Sequence, residues 1–388
     1  MVVAMSGMPM ACAPKACVRA DGHDSTMPKH QPRSNFVITP IEGKGLGWVA
    51  SQAVEIGTRI HAEVPLLMLD NPRVNAHTHV ASTHVLLDAF KALPPAAQQA
   101  FWDLSQNASR WPGAKTVEGI WMTNAMQTAN GTSEAVFPTI ARVNHSCESN
   151  AVYKWNGALG KMTVHAIKRI APGDEITVSY GFRGSAMLRA QRQQRLRRQF
   201  GFECACSKCR LSGAALAASE ERLLLLGADF NLGSFGDVVR GDPSWILDRF
   251  EERYRATRLE VPDGHFYGVE TIMQGFLQWT DETYSRLREL LTRSKQISGA
   301  SAAVVPISWP GQRPGEEFSL PRAEAEAKAA AYGAAARSWA ARAHDVARDM
   351  VGEDAPTYQA LSAALQRCWR MSEDEETYAR ATARWRVQ

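Results

Sequence analysis

The spacing of apolar and polar residues predicts alternating strand-rich and helix-rich segments. Residues 35–70 alternate short apolar runs with glycines, which predicts a meander of short strands. Residues 80–130 change to helical spacing, as in "STHVLLDAFKAL", so we expect helices that end near residue 130. Between 135 and 182 the runs "AVYKWN", "KMTVHAIKRI" and "DEITVSYGF" are β-branched or aromatic, and they predict a second group of strands.

Helical spacing dominates the rest of the chain. The run "SAMLRAQRQQRLRRQFGF" predicts a basic helix, and its arginines are more typical of a solvated face than of a nucleic-acid surface. Residues 213–388 are rich in Ala, Leu and Arg and predict an all-α domain, in which helix pairs similar to tetratricopeptide repeats are one option. Residues 297–321 contain four prolines and predict a long loop. The fold class expected is therefore mixed α+β.

Composition and charge add few constraints. Of 388 residues, 45% are hydrophobic and 22% charged, as in an ordinary globular protein, and the net charge of +4 is too small to indicate nucleic acid. No apolar run is long enough to cross a bilayer. Residues 1–33 lack the basic start of a signal peptide and predict a flexible tail. Seven cysteines, an odd number, argue against a disulfide framework and favour a reducing compartment, the nucleus or cytoplasm or both.

The densest chemistry lies in "GFECACSKCR", where Cys204, Cys206 and Cys209 form a C-x-C-x2-C pattern. Three thiolates so close suit one metal ion better than disulfides, and structural zinc takes four ligands. The candidates for the fourth ligand are Cys147, Cys12, Cys17, Cys368 and a histidine. Cys147 is the best placed, because its run "ARVNHSCESNA" suggests an ordered turn. The alternative is a pair of buried turns with free thiols. If Cys147 binds zinc, it is not a nucleophile activated by His145.

Several runs resemble, in this order, a SET domain and its post-SET cysteine cluster: "EGKGLGWVASQAVEIGTRIHAEVPLLML", "NHSCESNA", "DEITVSYGF" and "QFGFECACSKC". The resemblance covers about residues 35–210 and is to the SMYD-type group and related fungal SET proteins. It implies a SET-domain β-fold of short strands at 34–182 with a helical insert at about 71–130. A basic helix with a zinc-bound post-SET loop would follow at 183–212, and then the helical domain at 213–388.

The resemblance also implies a function, that of a protein-lysine N-methyltransferase that uses S-adenosylmethionine. Tyr180 would lie beside the transferred methyl group and would be the catalytic residue. The cofactor would be bound by Gly43, Lys44, Gly45, Leu46, Asn124, Asn144, His145, Tyr180 and Phe202. One structural zinc would be bound by Cys147, Cys204, Cys206 and Cys209.

The sequence also departs from the SMYD-type pattern. Residues 70–140 contain no cysteine, so the zinc-binding MYND module is absent there. Phe200 stands where a second tyrosine is frequent, and Met126 where an aromatic is frequent. Both would line the substrate channel, which leaves open whether the product is mono-, di- or trimethyl-lysine. The substrate is expected to be a protein, histone or non-histone, with no nucleic acid or membrane partner and a monomeric enzyme. The alternative is a catalytically weak SET-fold interaction module with a structural zinc site.

Overall fold

The computed structural model describes residues 34–70, 79–128, 133–180, 187–227, 235–260, 269–298, 303–308 and 318–370. The tail expected at 1–33, with Cys12 and Cys17, lies outside the described residues. The strands are β1 (Phe36–Ile41), β2 (Gly45–Ala50), β3 (Arg59–Glu63), β4 (Leu67–Asp70), β5 (Met126–Thr128), β6 (Ser133–Val136), β7 (Asn144–His145), β8 (Ala151–Asn156), β9 (Lys161–Ala166), β10 (Glu175–Val178), β11 (Val304–Ile307) and β12 (Phe318–Pro321). The helices are α1 (His79–Lys91), α2 (Pro95–Trp102), α3 (Val117–Asn124), α4 (Arg189–Phe200), α5 (Ser207–Arg210), α6 (Gly213–Gly227), α7 (Phe235–Arg240), α8 (Pro243–Glu260), α9 (Val269–Ser298), α10 (Arg322–Val351) and α11 (Pro356–Arg370).

Short strands form three small sheets in the first half of the chain, which confirms the expected mixed α+β class. Their orders are β1-β2-β10-β7, β3-β9-β8 and β4-β6-β5. Neighbouring strands are antiparallel except β7 and β10, which are parallel. Trp48 of β2 is fully buried at the centre, where its ring stacks on Phe36 at 3.6 Å and its Nε1 donates to the carbonyl of Thr139 at 3.1 Å. The same apolar cluster includes Val164 of β9 and Ala135 of β6, so all three sheets contribute to one core.

The helical insert packs a separate apolar cluster against the β4-β6-β5 sheet. Phe101 and Ile120 are fully buried there beside Val136 of β6. The last insert helix is shorter than the sequence pattern predicts, since α3 ends at Asn124 and Met126–Thr128 is a strand. Pairing of this segment with β6 satisfies its backbone hydrogen bonds in place of another helical turn.

The C-terminal part is mainly helical, as expected, but the predicted loop at 297–321 is wrong in its details. Helix α9 continues to Ser298, and β11 and β12 pair as an antiparallel hairpin. Val305, Ile307 and Leu320 are buried among the helices, whereas Pro306 points outward in a two-stranded sheet that tolerates proline. The apolar alternation outweighed the prolines that suggested a loop. Whether the helices form repeats stays a prediction.

The turn between α10 and α11 is fastened to the strands of the first half. Arg59 of β3 forms an ion pair with Asp354, and its Nε donates to Nε2 of His165 in β9 at 3.3 Å. Gly352 has φ of +79°, and a Cβ added there would lie 3.1 Å from both the Arg59 and the His165 side chains. The helical part thus contacts the sheet that carries β8 and β9. No helix in the described residues is long and apolar enough to cross a membrane.

Candidate functional site

The parallel pairing of β7 with β10 brings together two runs that are about 30 residues apart in sequence. Asn144 lies opposite Thr177, and His145 lies opposite Val178. Asn150 secures the turn after β7, because its Nδ2 donates to the carbonyl of Glu175 at 2.9 Å and its Oδ1 accepts from the N–H of Thr177 at 2.8 Å. The end of β10, where Tyr180 follows, is therefore held beside β7.

Tyr180 makes two hydrogen bonds to the segment at β7. Its hydroxyl donates to the carbonyl of Val143 at 2.7 Å, and its main-chain N–H donates to Nδ1 of His145 at 3.0 Å. Burial raises the pKa of the phenol above its ordinary value, and the neighbouring Tyr153 and Glu175 raise it further. The hydroxyl therefore stays protonated at neutral pH, which suits an orienting group and not a general base.

His145 connects Tyr180 to a group of cysteines. Since Nδ1 accepts a hydrogen bond, the proton of the neutral ring is on Nε2, which lies 3.3 Å from Sγ of Cys147. The ring is 5% exposed. The pairing of Cys147 and His145 that the sequence suggests thus exists in space, but the sulfur also belongs to a larger cluster.

The four cysteines Cys147, Cys204, Cys206 and Cys209 have their sulfur atoms within 4.8 Å of one another and could hold a metal ion. The Cys147 sulfur lies 3.9 Å from that of Cys204 and 3.6 Å from that of Cys209. A disulfide needs about 2.0 Å, whereas four thiolates about 2.3 Å from a tetrahedral zinc are about 3.8 Å apart. Hydrogen bonds with Cys147 are the main cause that lowers the pKa of the Cys204 and Cys206 thiols, whereas hydrogen bonds within the group raise the pKa of Cys147 and Cys209. The donor set and spacing therefore fit zinc.

Helix α4 supports this cluster through two side chains that the sequence analysis missed. Gln193 fixes the main chain of Cys204, donating to its carbonyl at 2.6 Å and accepting from its N–H at 2.8 Å. The guanidinium of Arg192 is buried against Cys147 and Cys209. Burial by itself would lower the pKa of this guanidinium, but the two neighbouring cysteines raise it by more, so the pKa lies above its ordinary value. A buried cation beside thiolates offsets part of their charge. The only signal in the sequence was their position just before the cysteine triple.

The glycine turn between β1 and β2 lies on the other side of Asn144. Gly43 and Gly45 have φ of +71° and +76°, a left-handed conformation that glycine adopts without strain. A Cβ at either position would meet no atom within 4 Å, so the space beside both glycines is open. The side chain of Lys44 is 44% exposed, and Leu46 is also exposed.

Glu175 and Gly47 link the turn to Asn144, and both were missed as site residues from the sequence. The Nζ of Lys44 lies 2.6 Å from Oε2 of Glu175, whose Oε1 accepts from Nδ2 of Asn144 at 3.0 Å. A Cβ on Gly47 would lie 2.6 Å from that Nδ2, closer than atoms can approach. The orientation of the Asn144 amide therefore depends on Glu175 and on the small size of Gly47.

Aromatic rings cover the Tyr180 side of the site. The ring of Phe200 is 4.8 Å from that of Tyr180, and the ring of Phe202 is 6.0 Å from His145 and 6.3 Å from Tyr180. Met126 packs against the same core as Tyr180.

Asn124 forms its hydrogen bonds with residues outside this group. Its Nδ2 donates to the carbonyls of Ser105 and Ile120, both at 2.7 Å. This arrangement fixes the end of α3, and a contact with cofactor stays a prediction.

Comparison with known proteins finds similar sequences over part of the chain. Residues 45–181 match the family described as the SET domain. Histone-lysine N-methyltransferase set5 of Schizosaccharomyces pombe is 30% identical over 174 residues, which cover 45% of this chain and 50% of that protein. Protein-lysine N-methyltransferase SMYD4 of Mus musculus is 39% identical over 98 residues, 25% of this chain and 12% of that protein. The chain thus spans half or less of the length of these curated relatives.

Solved structures of similar proteins include the SET domain of LSMT bound to lysine and AdoHcy. The two sequences are 10% identical, and the match covers 89% of this chain and 90% of the LSMT chain, with a TM-score of 0.30. At that score no residue can be placed by analogy, and the matched sequence carries the assignment. Residues 45–181 form a SET domain, and the chain is similar to set5 and to SMYD-type proteins over part of their length.

Proposed function

We propose that this protein transfers methyl groups from S-adenosylmethionine to lysine side chains of other proteins. The observation that carries the proposal is the fixation of Tyr180 to the Val143–His145 segment by two hydrogen bonds, at 2.7 and 3.0 Å. A hydroxyl held so rigidly can orient a reacting group, and the open glycine turn lies at the adjacent strand. The matched relatives are named lysine methyltransferases, which agrees with this chemistry.

The residues around Asn144 fit a cofactor with an amino acid end and an adenosine end. The backbone of Gly43–Leu46 allows close approach because nothing blocks the space beside its glycines. The Asn144 amide, oriented by Glu175, would bind the amino acid end, and His145 and Phe202 would contact the adenine. Fixed donors and acceptors of this kind lower the cost of ordering a ligand.

The reaction is an in-line displacement. The bound cofactor supplies a methyl group on a positively charged sulfur; the lysine nitrogen forms the new C–N bond while the electron pair of the breaking C–S bond goes to sulfur. The extra proton on the methylated nitrogen then leaves to solvent. The amine must be neutral to attack, and the apolar side chains of Met126 and Phe200 would disfavour its charged form. Tyr180 would accept an N–H of the amine, because its own proton is already donated to Val143.

Zinc has a structural role in this proposal. A tetrahedral ion bound by Cys147 and the cysteines at 204–209 would join the turn after β7 to the loop that carries Phe202. Metal binding would thus contribute directly to the folding of that loop, and through it to the cofactor site.

The test uses S-adenosylmethionine with a labelled methyl group and proteins of a whole-cell lysate, since both histone and non-histone substrates are candidates. Wild type is expected to label lysine residues, and Tyr180→Phe to be slower by about 100-fold because the amine loses its orienting acceptor. Tyr358→Phe, which removes a hydroxyl in α11, is the matched control. Calorimetry with S-adenosylmethionine on wild type and Asn144→Ala tests the cofactor site. A folded wild type that neither binds the cofactor nor labels lysine would contradict the proposal and favour the interaction module.

A further inference from the structure

The imidazole of His145 lies between Tyr180 and the cysteine cluster and contacts both with its ring nitrogens. Nδ1 accepts from the main-chain N–H of Tyr180 at 3.0 Å, and Nε2 lies 3.3 Å from the sulfur of Cys147. The ring is 5% exposed, so little water reaches either nitrogen. Because both nitrogens have partners inside the protein, a contact with adenine would come from the ring carbons or the main chain of His145.

The bond at one ring nitrogen determines the bond at the other. A neutral imidazole has one N–H and one acceptor nitrogen, so the acceptor role of Nδ1 places the hydrogen on Nε2. That hydrogen is donated to the Cys147 sulfur, and a hydrogen bond to a thiolate is stronger than one between neutral groups. A ring held in this way by a charged sulfur keeps its acceptor nitrogen directed at Tyr180.

The main chain around His145 has contacts of its own that do not involve the imidazole. Its strand β7 pairs with β10, where it lies opposite Val178, and the N–H of Ser146 donates to the carbonyl of Val178 at 3.0 Å. The hydroxyl of Tyr180 donates to a main-chain group, the carbonyl of Val143. Substitution of His145 should therefore leave these contacts in place and remove only the two bonds of the ring.

We propose that His145 is a positioning residue that makes the orientation of Tyr180 depend on the cysteine cluster, because its Nε2–H holds the Cys147 thiolate while its Nδ1 holds the main chain of Tyr180. The inference rests on the proposed function. There the tyrosine hydroxyl accepts an N–H of the lysine amine, and a shift of the tyrosine main chain would misplace that hydroxyl. The same ring should affect zinc affinity, since a hydrogen bond to a ligand changes how that ligand binds its metal.

Two substitutions separate the two bonds. The amide of Asn places an oxygen near the position of Nδ1, so His145→Asn still accepts from Tyr180 but offers no donor to the sulfur. The longer amide of Gln places an N–H near the position of Nε2, so His145→Gln still donates to Cys147 but loses the acceptor for Tyr180. His145→Phe keeps a ring and loses both bonds. His84→Phe, the same replacement on the exposed side of α1, is the matched control.

The experiment measures the metal site separately from activity. Cobalt(II) replaces zinc in the purified full chain, and the thiolate-to-cobalt absorption band reports the hydrogen bond to sulfur. Competition with a chelator gives the zinc affinity. Transfer from labelled S-adenosylmethionine to lysate proteins, with zinc in excess, gives the rate at saturating cofactor and the KM for cofactor. A thermal unfolding curve checks that each variant is folded.

We expect His145→Phe to bind zinc about 10- to 100-fold more weakly and to show its cobalt band at longer wavelength, because the sulfur has lost a hydrogen bond. Its rate at saturating cofactor should fall about tenfold, as for the loss of one hydrogen bond. His145→Gln should recover the cobalt band and the KM but not the rate. His145→Asn should recover part of the rate but not the cobalt band, because its oxygen accepts from Tyr180 without being held by the sulfur.

If His145→Phe does not fold, the Asn and Gln variants still decide, because the two should be impaired in opposite measurements. Asn and Gln variants that lose rate and cobalt band to the same extent would overturn the inference. An active wild type whose rate and cobalt band are matched by all three variants would also overturn it and leave the methyltransferase proposal intact. No labelled lysine from wild type would overturn both.

Discussion

Lys208, one position before Cys209, forms a buried ion pair with Glu260 at the end of α8. Its Nζ lies 3.1 Å from Oε2 of Glu260 and also donates to the carbonyl of that residue, and the two side chains are 7% and 3% exposed. Arg222 lies 2.5 Å from Oε1, and Ser219 donates to Oε2 at 2.5 Å. One carboxylate therefore joins the cysteine loop to helices α6 and α8.

Replacing Glu260 by Gln should lower the free energy of unfolding by about 3–5 kcal/mol, because the charge of Lys208 is then buried without its partner. Urea unfolding measures the change. The matched control is Glu251→Gln in the same helix, whose ion pair with Arg342 is partly exposed and should contribute about 1 kcal/mol or less. A combined Lys208→Met and Glu260→Leu variant should recover most of the loss. Equal free energies of unfolding for Glu260→Gln and Glu251→Gln would show that the buried ion pair stabilises the protein no more than the partly exposed one.

Cys206→Ser should reduce zinc content and methyl transfer together, because a tetrahedral site with three thiolates binds zinc more weakly and the loop that carries Phe202 is no longer fixed. Metal content is measured by elemental analysis of the purified protein, and activity by transfer of labelled methyl groups. Cys368→Ser removes a thiol from α11 and should change neither. A Cys206→Ser protein that is free of zinc and fully active would refute the structural role of the metal.

The cysteine cluster was predictable because closely spaced cysteines have few roles in proteins, chiefly metal binding and disulfide formation. A C-x-C-x2-C triple needs a fourth ligand, and Cys147 lies in a run that suggests an ordered turn. The spacing of the triple and the character of that run together pointed to the group that the structure brings within 4.8 Å. The β-rich segments were predictable for a similar reason, since β-branched runs between turns leave few alternatives.

Arg192 and Gln193 could not be found in the same way. They lie in a helix with many arginines, and the pattern of charges does not tell which arginine is buried against Cys147. Tertiary packing decides that. The hairpin of β11 and β12 was not predicted because the prolines in this segment suggested a loop. The ion pair of Lys44 with Glu175 joins residues 131 positions apart, and local sequence patterns do not reveal such contacts.

Gly47→Ala should weaken binding of S-adenosylmethionine by about tenfold or more, because the new Cβ would lie 2.6 Å from Nδ2 of Asn144 and from Cγ1 of Ile41. The Asn144 amide would have to move away from Glu175, which now orients it. Isothermal calorimetry measures the dissociation constant. Gly157→Ala is the matched control, since its Cβ would meet only an ordinary contact at 3.7 Å. Equal affinity in both variants would exclude a role for the Asn144 side chain in binding.

His165 should make the protein less stable as the pH falls from about 6.5 to 4. Burial lowers the pKa of its imidazole to about 4, with Arg59 lowering it further and Asp354 opposing. In the unfolded chain the pKa is about 6.5, so between these values the unfolded state binds one more proton than the native state. Stability then rises with pH, by about 1.4 kcal/mol per pH unit, and about 3 kcal/mol is lost across the window on acidification.

The measurement is the free energy of unfolding in urea at several pH values between 4 and 7, for wild type, His165→Gln and His84→Gln. His165→Gln has no imidazole to protonate at this position, so the increase of its free energy of unfolding with pH should be smaller. His84 lies on the exposed side of α1, and His84→Gln should show the same increase as wild type. Nδ1 of His165 is buried and has no hydrogen-bond partner among the described residues, while Nε2 accepts from Arg59, so protonation at Nε2 would break that bond and place two cations together. If His165→Gln and His84→Gln gave the same slope, the acid sensitivity would have to come from other groups, and the contact between α10–α11 and β9 would not depend on a neutral imidazole.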